Sequence, residues 1–332
     1  MHMADALISP AIGGTIWAAA AGLIAYSSKK VAQEADERKI ALMGVLGAFV
    51  FAAQMINFTI PGTGSSGHLG GGMLLAIVLG PCSAFLVMSS VLITQALFFA
   101  DGGILALGCN ILNLGFFPCF IAYPFIYRII LGNSNSPKKI LLASMLSALV
   151  ALQMGAFGVV LETFLSGISE LPLSTFVLFM QAIHLSIGVA EGLVTGAMVL
   201  YILKARPEIL KESSRFQKMR QFNIKKILIT LTLVTLFTGG ILSWYASTRP
   251  DGLEWSMNKT SGKEELEGKS TIHQIASRLQ KTIAFLPDYN FKNSESEKAG
   301  TSISGLIGGF GTFLIVIILG YFLRRRTVKP NE

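Results

Sequence analysis

An all-α integral membrane protein is the fold class this sequence predicts, with a seven-helix bundle followed by a two-helix module that carries an external loop. Three observations predict it. Of 332 residues, 52% are hydrophobic and only 14% are charged, whereas a soluble domain carries about 25% charged residues. Mean hydropathy is +0.59. Apolar runs near the ~20 residues that cross a bilayer recur along the chain, and positive charge collects just outside them.

The runs cover 11–26, 40–57, 103–131, 139–163, 175–203, 226–246 and 302–323, with a longer one, 73–99, interrupted by Gly80-Pro81. Lys29, Lys30, Arg38 and Lys39 follow the first run, which places them in the cytoplasm and Met1 outside. Arg128, Lys138 and Lys139 form a second cluster. Lys204, Arg206, Lys211, Arg215, Lys218, Arg220, Lys225 and Lys226 form a third, and Arg324 to Arg326 a fourth. If 73–99 crosses once, the second and third clusters fall outside. Two crossings, a short piece before Pro81 and a longer one after it, bring every cluster inside. The sequence therefore predicts seven spans in 1–203, a basic cytoplasmic linker at 204–225, and two spans in 226–326 around an external loop, 247–301. The C-terminus is then cytoplasmic. Within that loop, 269–286 carries Ile272, Ile275, Ala276, Leu279, Thr282 and Ile283 at the period of an amphipathic helix.

This composition excludes disorder, collagen and a disulfide scaffold. Cys82, Cys109 and Cys119 are odd in number and sit in apolar runs, where they read as small hydrophobes. The net charge of +8 is no nucleic-acid signal, because most of it flanks membrane spans; the partner it implies is the lipid bilayer. The first run is preceded by Asp5 and followed by the basic residues, the reverse of a cleavable signal. No HExxH, GxSxG, P-loop or CxxC spacing occurs, so neither a protease nor an ATPase is indicated.

Chemistry concentrates on the predicted external face. His2 follows the initiator methionine. The Met1 α-amine, the His2 amide nitrogen and the His2 Nδ1 can close one five- and one six-membered chelate ring, nearly coplanar because the peptide is planar. Only a strongly Lewis-acidic ion such as Cu(II) or Ni(II) drives off the amide proton, and tetragonal nitrogen sites select these ions. His68 is the candidate for the fourth corner. It lies in Gly62-Thr63-Gly64-Ser65-Ser66-Gly67-His68-Leu69-Gly70-Gly71-Gly72, on the same predicted face as Met1. The competing readings are a frayed terminus for His2 and a backbone-bonded loop histidine for His68. Ligating imidazoles usually donate their other nitrogen to a polar partner, and Gln54, Asn57, Asp101, Asn110 and Asn113 are the candidates. His184 and Glu191 are seven apart in the seventh span, on one helical face, and intramembrane ionisable residues are functional candidates by default. His273 reads as a solvated residue of the external loop.

The opening Met1-His2-Met3-Ala4-Asp5-Ala6-Leu7-Ile8-Ser9-Pro10, with Gln54-Met55-Ile56-Asn57-Phe58 and Ser66-Gly67-His68-Leu69-Gly70-Gly71, resembles the NikM/CbiM family. These are the substrate-binding subunits of energy-coupling-factor nickel and cobalt importers. Asp101-Gly102-Gly103, Leu107-Gly108-Cys109-Asn110, and His184-Leu185 through Glu191-Gly192 carry the likeness through most of 1–203. Pro250-Asp251-Gly252-Leu253-Glu254-Trp255 and Leu286-Pro287-Asp288-Tyr289 resemble the small NikN/CbiN component, so the chain is similar to a fusion of the two. The resemblance implies a substrate-binding subunit that takes Ni(II), or alternatively Co(II), as transported substrate through Met1, His2 and His68, with no organic cofactor. It also implies a prokaryotic cell membrane, a membrane coupling subunit and two cytoplasmic ATPases as partners, and no enzymatic activity in this chain. Two other classes compete: a membrane metalloenzyme built on His184, Glu191 and His68, and a secondary transporter using Glu191 and Glu162.

Overall fold

The computed structural model describes residues 2–34, 36–169, 171–210, 224–264, 266, 268, 270–291 and 297–325. Met1 and most of the basic linker (211–223) lie outside the described residues. Helix α1 (Pro10–Glu34) gives way to α2 (Glu37–Gln54), whose first turn is capped by Asp36 accepting the Lys39 N–H at 2.8 Å. A glycine-rich loop follows, containing a short antiparallel ribbon of Phe58–Thr59 against Ser66–Gly67. Then come α3 (Gly72–Leu79), α4 (Pro81–Phe98), α5 (Leu107–Leu131), α6 (Pro137–Ser166) and α7 (Leu173–Ala205).

The long apolar run does divide at Gly80-Pro81. Gly80 has φ 79°, a left-handed value that favours glycine, and Pro81 opens α4 where its missing N–H costs nothing. Helix α3 does not cross a membrane by itself, however. Its eight residues reach about 12 Å, under half of a ~30 Å hydrocarbon core. Every one of them is buried, so α3 is an internal helix walled by its neighbours, as non-spanning backbone at membrane depth must be. Among the described residues six helices are long and apolar enough to cross: α1, α4, α5, α6, α7 and the last helix.

Small residues set the closest approach in the bundle. A Cβ on Gly192 would stand 2.7 Å from the Met145 Cα, and one on Gly188 3.2 Å from the Leu149 Cα. These glycines, four apart, let α7 lie against α6 backbone to backbone.

The second module begins with α8 (Lys225–Gly240) and ends with α11 (Glu297–Arg325), which pack on α2 and on each other. Between them stand α9 (Gly252–Ser261) and α10 (Thr271–Ile283). The amphipathic period of 269–286 does form α10, yet its apolar residues face outward: Ile272, Ile275 and Leu279 are exposed, while His273 and Ala276 are buried. The reason lies in the helix ends below it. The Gln280 amide donates to the carbonyls of Ala96 (2.8 Å) and Gly102 (2.7 Å), and His273 Nε2 donates to Ile8 O at 2.9 Å. Carbonyls in the last turn of a helix lack intrahelical donors, and polar side chains of α10 supply them at Ala96. His273 is therefore not solvated; it is a buried clasp between the two modules.

Candidate metal centre

Residues 2–8 are not frayed. Met3, Leu7 and Ile8 are fully buried, and the Asn110 side chain holds Met3 as a neighbouring strand would, accepting its N–H at 2.7 Å and donating to its carbonyl at 3.2 Å. Gly103 N–H donates to Met3 O at 2.9 Å, and Asp5 Oδ1 accepts the Ala106 N–H at 2.9 Å. The arm is thus fixed between α1 and the loop that leads into α5, and it carries the His2 ring into the interior.

The glycine loop delivers the second ring. Glu191, on α7, accepts the Gly70 N–H at 2.7 Å and the Gly71 N–H at 3.1 Å, one on each carboxylate oxygen. Gln54 donates to Gly70 O at 2.7 Å and accepts from Gln95 at 2.9 Å. His68 Nδ1 lies 3.1 Å from Leu69 O. A carbonyl only accepts, so Nδ1 carries the proton and Nε2 holds the lone pair a metal could take.

The two rings meet. Their centroids are 4.9 Å apart and their planes 16° from parallel. His2 Nδ1 is 3.2 Å from Asp101 Oδ1, and His2 Nε2 is buried with no hydrogen-bond partner among the described residues. Both rings face a vestibule of about 1090 Å³ that Gln54, Asp101, Asp251 and Tyr289 also line. Burial holds each imidazole far below its usual range, at about 3, so both are neutral and able to ligate. Burial pushes the Asp101 carboxyl up.

The other expected residues separate cleanly. Asn57 lines the vestibule and accepts the Ser247 N–H through its carbonyl at 2.7 Å. Asn110 acts on the Met3 backbone. Asn113 is not brought to the site: it donates to Glu162 at 2.8 Å, between α5 and α6. The shared face of His184 and Glu191 serves the loop. His184 Nδ1 donates to Met180 O at 2.8 Å, and its ring adjoins His68 and Gly252 around a small cavity. Among the described residues no set of three or more His, Cys, Asp or Glu side chains converges as metal ligands, so His184, Glu191 and His68 do not form the cluster a metalloenzyme would need.

The second module roofs the vestibule. Ser66 N–H and Oγ donate to Pro250 O (2.8 Å) and Arg249 O (2.8 Å), and Trp255 Nε1 donates to Thr63 O at 3.0 Å. Asp251 caps α9, its Oδ1 taking the N–H groups of Leu253 (2.8 Å) and Glu254 (2.9 Å). The D-x-x-E spacing of this capping box was legible in the sequence; its position over the vestibule was not. Tyr289 donates to Asp101 Oδ2. The sequence marked Tyr289 within Leu286-Pro287-Asp288-Tyr289 but not its contact with Asp101, since 188 positions separate the partners.

Two family models match the chain. Residues 2–209 match the family model described as the cobalt uptake substrate-specific transmembrane region, and 225–325 match the PDGLE domain. A putative fused nickel transport protein NikMN of Archaeoglobus fulgidus is 29% identical over 325 residues, covering 98% of each chain. The fused nickel transport protein NikMN of Rhodobacter capsulatus is 32% identical over 225 residues, covering 63% of this chain and 64% of its own. A crystal structure of a transition metal transporter superposes with TM-score 0.56 at 31% identity, covering 65% of this chain and 99% of its own.

Proposed function

The chain belongs to the CbiM family of cobalt-uptake substrate-specific transmembrane subunits, and we propose that it captures Ni(II) at its external face for ATP-driven import. It is a multi-pass membrane subunit for nickel or cobalt transport. Four nitrogens hold the ion: the Met1 amine, the His2 amide, His2 Nδ1 and His68 Nε2. The observation that carries this reading is the stacked pair of neutral imidazoles, 4.9 Å apart, at the inner end of an arm that Asn110 and Gly103 lock in place. In the structure His2 Nδ1 faces Asp101. A half-turn about Cβ–Cγ exchanges Nδ1 with Cδ2 and Cε1 with Nε2, which frees Nδ1 for the chelate and leaves Nε2 on the Asp101 side of the ring, where a carboxylate can steady a ligating imidazole.

A site of four nitrogens discriminates against Mg(II) and Ca(II), which require oxygen. Cu(II) binds such a site more tightly than Ni(II), so discrimination against copper rests on availability. Co(II) is the alternative cargo. The domains are 1–203, which binds the metal, the linker 204–225, and 226–326, which roofs the site. With the amino terminus outside, the basic residues between α1 and α2 and those ending α11 share the cytoplasmic end. In support, Arg324 Nη1 and Glu37 Oε1 are 2.8 Å apart.

The coupling subunit and ATPases are partners rather than parts of this chain. On the outward face of α1, Gly14, Ala18, Gly22 and Ala25 are exposed, and a small-residue stripe of this kind lets a partner helix approach closely.

Metal analysis with NMR tests the proposal. The purified chain should bind one diamagnetic, square-planar Ni(II), and His68→Ala should weaken it tenfold or more. A paramagnetic six-coordinate ion, or unchanged affinity in His68→Ala, overturns it.

A further inference from the structure

We infer that Tyr289, carried by the second module, is a positioning residue for the His2 ring and acts through Asp101. The inference rests on the four-nitrogen reading of the site. Asp101 is shared between modules: Oδ1 faces His2 Nδ1 at 3.2 Å, and Oδ2 accepts the Tyr289 hydroxyl. One carboxylate thus joins a ring that ligates the ion to a phenol from the roof. Turning the His2 ring over keeps an imidazole nitrogen on the Asp101 side, so the same carboxylate serves the chelate.

The phenol has little freedom. Its ring stacks on Phe99 at 5.0 Å with planes 19° apart, and its edge meets Phe51 at 6.2 Å. The backbone around it points the same way. Among the described residues the non-glycine positions with positive φ are Ala100 (56°), Asp288 (52°) and Tyr289 (58°), and they flank this one contact from both modules. Left-handed backbone is costly for a residue with a Cβ and persists where surrounding contacts over-determine it, often at functional sites. Those contacts are present. Asp288 N–H donates to Phe99 O at 2.9 Å, Leu286 N–H to Phe98 O at 3.3 Å, and Asp101 N–H to Gln95 O at 3.1 Å.

A half-buried tyrosine that has merely found the nearest acceptor would not need three strained residues to present it. The arrangement makes docking of the second module a condition for holding His2 in its ligating pose, which gives that module a chemical task at the metal rather than a purely covering one.

The test uses the full chain in nanodiscs loaded with Ni(II), then challenged with excess chelator. Tyr289→Phe removes the donor and keeps the ring stack. Groups that hydrogen-bond to metal-bound histidines typically matter 10–100-fold, so nickel release should accelerate about tenfold or more, with a shifted ligand-field band and unchanged thermal unfolding of the nickel-free protein. Asp101→Asn should do at least as much, and the double variant no more than Asp101→Asn alone, because both act on one chain of contacts. Wild-type release and spectrum in Tyr289→Phe, or losses that multiply in the double variant, overturn the inference while the metal site stands. A wild-type chain that takes up no nickel overturns the four-nitrogen reading and this inference with it.

Discussion

Glu191 is the most consequential residue outside the proposed ligand set. Its carboxylate accepts two loop N–H groups, at 2.7 and 3.1 Å, and is buried on α7. Glu191→Ala leaves both amides without that acceptor. A buried donor deprived of its partner costs about 1–3 kcal/mol, so two cost about 2–6 kcal/mol if the loop stays in place. The loop instead has a cheaper exit: it can lift toward the vestibule and hydrate its amides, taking His68 with it. The lower figure, about 2 kcal/mol, is then the minimum shift toward an open loop, and at 1.4 kcal/mol per decade it lowers nickel affinity roughly 30-fold. Calorimetric titration gives the affinity, and amide hydrogen exchange at Gly70 and Gly71 reports the loop. The expected result is a 30-fold or greater loss accompanied by faster exchange at those two residues. Unchanged affinity, or an affinity loss with both amides still protected, refutes the clamp.

Three further outcomes are expected. One residue added before Met1, or acetylation of its amine, should abolish stoichiometric nickel binding in a folded protein, as metal analysis beside a thermal unfolding curve will show. Deleting 226–332 should lower cellular nickel uptake more than it lowers equilibrium binding by the purified chain, because the deletion removes the roof and leaves the four nitrogens. Binding should weaken as pH falls, since protons leave when the ion binds. With both rings held near 3, they add nothing to this above pH ~5, so between about pH 5 and 7 only the amine (pKa about 7.7–8.0) and the amide release protons, about two per ion. Calorimetry in buffers of different ionisation enthalpy counts them; a count nearing four would mean that the rings titrate at their ordinary values.

Local chemistry determined which parts of this molecule the sequence revealed. Helix composition and the Gly80-Pro81 break are short-range signals, and both were readable. The sequence also led to the expectation that His2 and His68 lie on one face, and in the structure their rings stack. The depth of α3 was not readable, since an apolar segment walled by protein and one crossing lipid look alike in sequence. Helix α10 shows the same limit. Its apolar period is visible, yet the carbonyls of Ile8, Ala96 and Gly102 turn His273 and Gln280 inward instead. Asn113 looked equivalent to Asn110, three residues before it. On a helix that offset is enough to send one to the Met3 backbone and the other to Glu162. Tyr289 and Asp251 gain their meaning only from contacts between modules, which no local pattern encodes.

A nickel-edge anomalous difference map of the loaded full-length chain tests the central claim most directly. One peak is expected, about 2 Å from the Met1 amine, the His2 amide, His2 Nδ1 and His68 Nε2. A peak beside His184 and Glu191, or one ringed by carboxylates, would contradict it.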